Sequence, residues 1–204
     1  MISFLLFCNT FFLYLIYVIM GVFVIKNQKS IIKFEIFSII FVSVLGVLLH
    51  FAFEWSNQNL VIGTFSAVNE STWEHLKLLF FPMLITTIIG YFFIGKRISS
   101  FLCARVFAII SSMLFTITFF YTYTGILGTN IAFVNIAIFF AAVVFGEYIS
   151  YRLLISGSSC DNSKAIIAIG LLLFCFIFFT FFPPQIGLFK DPISGGYSIF
   201  NISR

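Results

Sequence analysis

The sequence predicts an all-α fold: a polytopic transmembrane helix bundle of about six spanning helices with both termini outside. Three observations carry that prediction. Of 204 residues, 61% are apolar and 9% charged, whereas a soluble domain carries about 25% charged residues. Six apolar stretches, roughly 2–25, 34–53, 76–94, 101–120, 131–149 and 165–182, approach the ~20 residues a helix needs to cross the hydrocarbon layer. Finally, the basic residues alternate between connections. Lys26, Lys29 and Lys33 lie in the first, Lys96, Arg97 and Arg105 in the third, and Arg152 and Lys164 in the fifth. Only Lys77, Lys190 and Arg204 fall on the other side. The positive-inside rule places the richer side in the cytoplasm.

The first stretch reads as a retained helix. No basic segment precedes it and no small-x-small site follows, as a cleaved signal peptide would require. The second stretch exits through His50-Phe-Ala-Phe-Glu54-Trp55. Residues 60–68 are apolar but too short to span, and Gly63 and Ser66 interrupt them; they are read as interfacial or dipping partway in. The third helix starts near Asn69-Glu70-Ser71-Thr72-Trp73-Glu74-His75. Ser71 and Glu74 have capping-box spacing, and Asn69 is an equally good N-cap. Pro82 is expected to kink that helix.

Tyr121-Thr122-Tyr123-Thr124 follows the fourth stretch. Glu147, near the inner end of the fifth, is expected to pair with Arg152 or a base of the third connection, because an unpaired carboxylate there is costly. Pro183-Pro184 ends the sixth. The tail, 183–204, is placed outside, with 187–196 either an ordered lid or a flexible end. The whole chain, 1–204, is read as one membrane domain. Cys8, Cys103, Cys160 and Cys175 show no C-x-x-C spacing and read as packing residues rather than a disulfide framework.

The net charge of +4 is spread in short runs without a dense basic stripe, so the expected partner is membrane lipid and not nucleic acid. The 32 phenylalanines exclude a disordered chain. The expected location is the bacterial plasma (inner) membrane.

Both histidines fall on the outer side of this topology. His50 and Glu54, four apart, share a helix face. A short connection links Glu54 to Asn69, so the second and third helices are expected to be antiparallel neighbours whose polar ends meet. Imidazole with carboxylate suits a divalent transition metal such as zinc. The candidate ligands are His50, His75 and Glu54, and the candidate catalytic carboxylates are Glu74 and Glu70. Asn69, Trp73, Lys77, Tyr121 and Tyr123 are candidates for contacting substrate. A plainer reading competes: Glu70 and Glu74 favour the helix dipole and pair with Lys77, while Trp55, Trp73, Tyr121 and Tyr123 anchor the interface.

Four strings resemble a family of small bacterial membrane proteins of unknown function. They are His50-Phe-x-x-Glu54-Trp55, Phe65-Ser-Ala-Val-Asn69-Glu70-Ser71-Thr-Trp73-Glu74-His75-Leu-Lys77, Phe120-Tyr-Thr-Tyr-Thr-Gly-Ile-Leu-Gly128 and Phe182-Pro-Pro-Gln-Ile-Gly-Leu-Phe-Lys-Asp-Pro192. The resemblance covers roughly residues 36–200 and implies a membrane fold without a mechanism. Three functions remain in play: a metal-dependent hydrolase or transferase acting on lipid, a small transporter or ion-binding protein, and a structural or partner-binding subunit.

Overall fold

The computed structural model describes residues 28–157 and 160–201. Five helices among them are long and apolar enough to cross a membrane: α1 (Gln28–Trp55), α3 (Thr72–Phe93), α4 (Phe101–Leu127), α5 (Ala132–Ser156) and α6 (Asn162–Phe181). A four-residue helix, α2 (Leu60–Gly63), lies between α1 and α3. These match five of the six expected spans, and the first expected span lies outside the described residues. The chain is a multi-pass, all-helical membrane protein.

The helices run past the apolar stretches that announce them. α1 starts six residues before position 34, and α4 continues through Tyr121–Thr124 to Gly128, whose φ of 66° closes it in the left-handed region. Hydropathy marks where lipid begins, whereas backbone hydrogen bonds continue into the polar margin. α3 runs through Pro82 as a single helix.

α1, α3, α4 and α5 form a four-membered ring in which each packs on its neighbours, and α6 lies outside against α4. The centre is apolar: Val42, Leu79, Met83, Ala108, Ile109 and Ala142 are all almost fully buried. One close approach shapes this packing. Pro82 has no N–H, so it cannot bond the Leu78 carbonyl one turn earlier. Gly46 of α1 lies against that oxygen; a Cβ on Gly46 would sit 2.7 Å from it.

Short connections reverse the chain at each end. The end holding Lys29, Lys33, Lys96, Arg97, Arg152 and Lys164 is here the basic end; the other is the histidine end. Two cations do not belong to either surface. Arg105, expected in a connection, is fully buried one turn inside α4, and Lys77 is equally buried in α3. Cys103 and Cys160, expected as packing residues, are disulfide-bonded at the basic end, with Cα atoms 6.3 Å apart. The segment before α6 folds over the start of α4, a tertiary contact that spacing does not reveal.

At the histidine end the tail is an ordered cap. Phe189 stacks on Trp73 with ring centroids 4.7 Å apart, and Ile199 packs on Phe53 and Val68. A turn around Asp191 holds the tail's shape: its carboxylate accepts from the Ile193 and Ser194 N–H groups and from the Ser194 hydroxyl.

Candidate functional site

The segment between α1 and α3 determines what gathers at the histidine end. Asn59 caps α2, accepting from Val61 N at 2.9 Å. The chain then turns inward, burying Gly63, Ser66, Ala67 and Val68. Lys77 holds it there: its ammonium donates to the Gly63 carbonyl at 3.0 Å, the Ser66 carbonyl at 3.3 Å and Glu74 at 2.6 Å. Glu74 accepts in addition from Val68 N at 3.1 Å. Glu74 and Lys77 thus form a buried clasp that fixes the connection, and these bonds hold the Glu74 carboxylate on it.

The clasp delivers Asn69, Glu70 and Ser71 to the start of α3. The Ser71 hydroxyl caps the helix, accepting from Glu74 N at 3.3 Å, while Ser71 N donates to Asn69 Oδ1 at 3.0 Å. The capping box is therefore half formed, because the Glu74 side chain is spent on Lys77 and Val68. Glu70, left projecting, reaches both histidines. Its Oε2 lies 3.4 Å from His75 Nε2 and its Oε1 3.9 Å from His50 Nε2. The two imidazoles are 5.3 Å apart by centroid. One ligand atom from each of His50, Glu70 and His75 lies within 4.8 Å of the others.

The hydrogen bonds around His75 fix its chemistry. Nδ1 faces the Ser71 carbonyl at 2.9 Å, and a carbonyl only accepts. Nδ1 must therefore carry a proton, and in a neutral ring Nε2 presents a lone pair to the Glu70 carboxylate. That juxtaposition needs a positive charge between them, either a second ring proton or a cation. His50 has the matching shortage: its buried Nδ1 has no partner. The hydrogen bond from His75, reinforced by the charges of His75 and His50, holds the Glu70 carboxyl below the usual carboxylate range, against partial burial that pushes it up.

His50, Glu70 and His75 open onto a cavity of about 350 Å³ between α1 and α5, walled by Val47, Phe51, Ile136, Phe139 and Phe140. Asn135 also lines it and joins a small polar group. Its side chain bonds Asn130 at 2.7 Å, and its carbonyl meets the Tyr123 hydroxyl. A second cavity of about 70 Å³ lies behind, touching Glu70, His75, Asn130 and Asn135.

The other expected site residues are distributed as follows. Glu54 is exposed and falls outside the His50–Glu70–His75 group; Glu70 takes the place foreseen for it, because the inward turn of residues 63–68 brings the later carboxylate back over His50. Trp73 stacks between Phe176 and Phe189. Tyr121 accepts from the Thr72 hydroxyl at 3.5 Å, and Tyr123 bonds the asparagines. Sequence reasoning missed Asn130 and Asn135. Their signal was one amide just before an otherwise apolar span and one within its first turn.

No curated protein and no solved structure matches the chain. A family model, described as a family of unknown function (DUF6512), matches residues 23–199. The chain, with its five apolar helices and its His/Glu group at one end, belongs to that family.

Proposed function

We propose that the protein is a metal-dependent hydrolase acting on lipid, with His50, His75 and Glu70 holding a divalent transition metal such as zinc. The observation that carries this reading is the gathering of three ligand atoms within 4.8 Å at the mouth of an apolar cavity. Two histidines and one glutamate are a known catalytic zinc set, and they leave a position open for water and substrate. Zinc bonds of 2.0–2.1 Å imply ligand atoms about 3.4 Å apart in a tetrahedron. His75 lies 3.4 Å from one Glu70 oxygen and His50 3.9 Å from the other; one atom from each residue falls within 4.8 Å of the others, so side-chain rotation would have to draw them closer around the ion. The His75 Nδ1–Ser71 bond presets the tautomer that ligation by Nε2 requires.

A metal held by His50, Glu70 and His75 would supply an activated water at neutral pH and polarisation of the substrate carbonyl or phosphoryl oxygen. The chain supplies the rest. The cavity is of the size of small-ligand sites, and its Val, Ile and Phe walls suit an acyl chain entering between α1 and α5. Asn135, held by the Tyr123 hydroxyl, lines the cavity where it can orient a polar head group. Glu74, whose Oε2 accepts from both Lys77 and Val68 N, contributes by fixing the connection that carries Glu70.

The expected placement is the outer face of a bacterial plasma membrane. Removing buried Arg105 and Lys77 from the charge count, one from each side, leaves seven cations against two in the sequence. The Cys103–Cys160 bond pulls the other way, since disulfides persist in oxidising compartments. The charge count carries more weight because the two cysteines pack among Val106 and Ala165 and would stay neighbours as thiols. A transporter has less support: Val42, Leu79, Met83 and Ala142 form a dry layer below the site.

The test is turnover of a fluorogenic acyl-ester lipid in vesicles containing the full chain. Expected is hydrolysis that a chelator removes and added zinc restores, lost in His50→Ala and His75→Ala. Hydrolysis indifferent to chelation, or none with zinc across ester and phosphodiester lipids, would contradict the reading.

A further inference from the structure

A second group of ionisable side chains lies toward the basic end, and the proposed hydrolysis makes no use of it. Arg105 of α4 is fully buried, with Glu147 of α5 and Glu35 of α1 beside it at 0% and 6% side-chain exposure. α3 faces the group with hydroxyls alone, Thr86 and Thr87. Phe34 covers the guanidinium face at 5.3 Å. The five guanidinium N–H groups are all engaged. Nε donates to Thr87, Nη2 to Thr86, Ser38 and Glu147, and Nη1 to Glu147, Glu35 and Ser150.

One cation among two carboxylates leaves a net charge of −1 in a site sealed from water. A structural ion pair needs only one of the two acids, and a second uncompensated charge inside a membrane is costly. The geometry indicates which acid is the extra one. Glu147 grips the guanidinium with both oxygens and accepts from the Ser38 hydroxyl at 2.7 Å. Glu35 receives the Ser150 hydroxyl at 2.8 Å and a longer contact from Arg105 at 3.3 Å. Glu35 and Glu147 meet the same guanidinium nitrogen, Nη1. Two carboxylates crowded on one site repel each other, and a proton on the more loosely held one removes that repulsion.

We propose that this centre is a proton-binding site, in which Glu35 holds one exchangeable proton that neutralises the buried charge. A metal cation fits less well, since the Glu147 oxygens and one of Glu35 already accept from close N–H and O–H donors, and none of the described cavities is lined by Glu35, Arg105 or Glu147. A proton needs no space. Arg105 lies one turn inside α4 from the basic end, which makes that end the side from which the proton exchanges.

Infrared difference spectroscopy of the full chain in lipid nanodiscs tests this. At neutral pH the wild type should show a carboxylic-acid C=O band that shifts on H₂O/D₂O exchange. Glu35→Gln should remove that band and still fold, because the amide reproduces the hydrogen-bonding of a protonated carboxyl. Three results would overturn the proposal: no carboxylic-acid band in the wild type, a band that survives in Glu35→Gln, or a band that sodium ions displace at constant pH. Failure of Glu35→Gln to fold, with Glu35→Asp folding, would also count against it, since that pattern demands a carboxylate.

Discussion

The two ends of the bundle carry similar residue types to opposite effect. Toward the basic end, Arg105 meets Glu35, Glu147, Ser38, Ser150, Thr86 and Thr87, and every guanidinium N–H finds an acceptor. At the histidine end, His50, Glu70 and His75 are partly exposed, His50 lies a loose 3.9 Å from Glu70, and its Nδ1 has no partner. Buried charges are tolerated when saturated, because the fixed donors replace water. A set of ligand atoms left incomplete next to an apolar cavity is unfinished without something from outside. The contrast therefore separates a centre that holds helices together from one that awaits a ligand.

Breaking the saturated centre should have the largest effect. Arg105→Leu strands two acids in the core and should cost about 3–5 kcal/mol or more, seen as loss of monodisperse protein in detergent. Near-normal melting of that variant would remove the distinction between the two ends. Next comes the clasp. Lys77→Met deprives Glu74 and two carbonyls of their donor and should destabilise by about 2–3 kcal/mol, with faster proteolysis in residues 56–71. It should also weaken metal binding, because Glu70 rides on that connection; unchanged metal affinity would show that Glu70 is positioned by α3 alone.

Gly46→Ala drives a methyl to 2.7 Å from the Leu78 oxygen, a backbone atom that cannot swing away. A loss of about 1–3 kcal/mol is expected, together with reduced lipid turnover as the α1–α5 cleft shifts. The smallest change in stability belongs to His75→Ala and Glu70→Gln, within about 1 kcal/mol, since partly exposed ion pairs contribute little. Thermal unfolding of purified protein ranks all five variants. For topology, an impermeant maleimide should label Asn57→Cys and spare Lys164→Cys in intact cells, on a cysteine-free background.

Much of this contrast could be read in the sequence, though unevenly. Apolar length gave five spans and alternating charge their order, because lipid solvation acts on each segment locally. The Asn69–Lys77 string marked the histidine end, and the meeting of α1 with α3 followed from the short connection. The sequence could not say which carboxylate would join the histidines. Glu54 and Glu70 are equally plausible by spacing, and the choice depends on Lys77 drawing the Gly63 and Ser66 carbonyls inward. Nor could it place Arg105. A cation four residues into α4 reads as part of a connection until three other helices supply its acceptors. Glu147 was expected to pair with Arg152 or with a base from that connection, and its partner, Arg105, is one of those bases. Glu35, a lone acid at the start of an apolar span, carried the same signal and went unread.

The account rests on the histidine end holding a metal that the basic end does not. Elemental analysis of detergent-purified protein, equilibrated with zinc and passed through gel filtration, measures this directly for the wild type, His75→Ala, Glu70→Gln and Glu35→Gln. The predicted result is close to one transition-metal ion per chain in the wild type and in Glu35→Gln, and a small fraction of that in the two histidine-end variants. A metal-free wild type, or equal retention in all four, would contradict it.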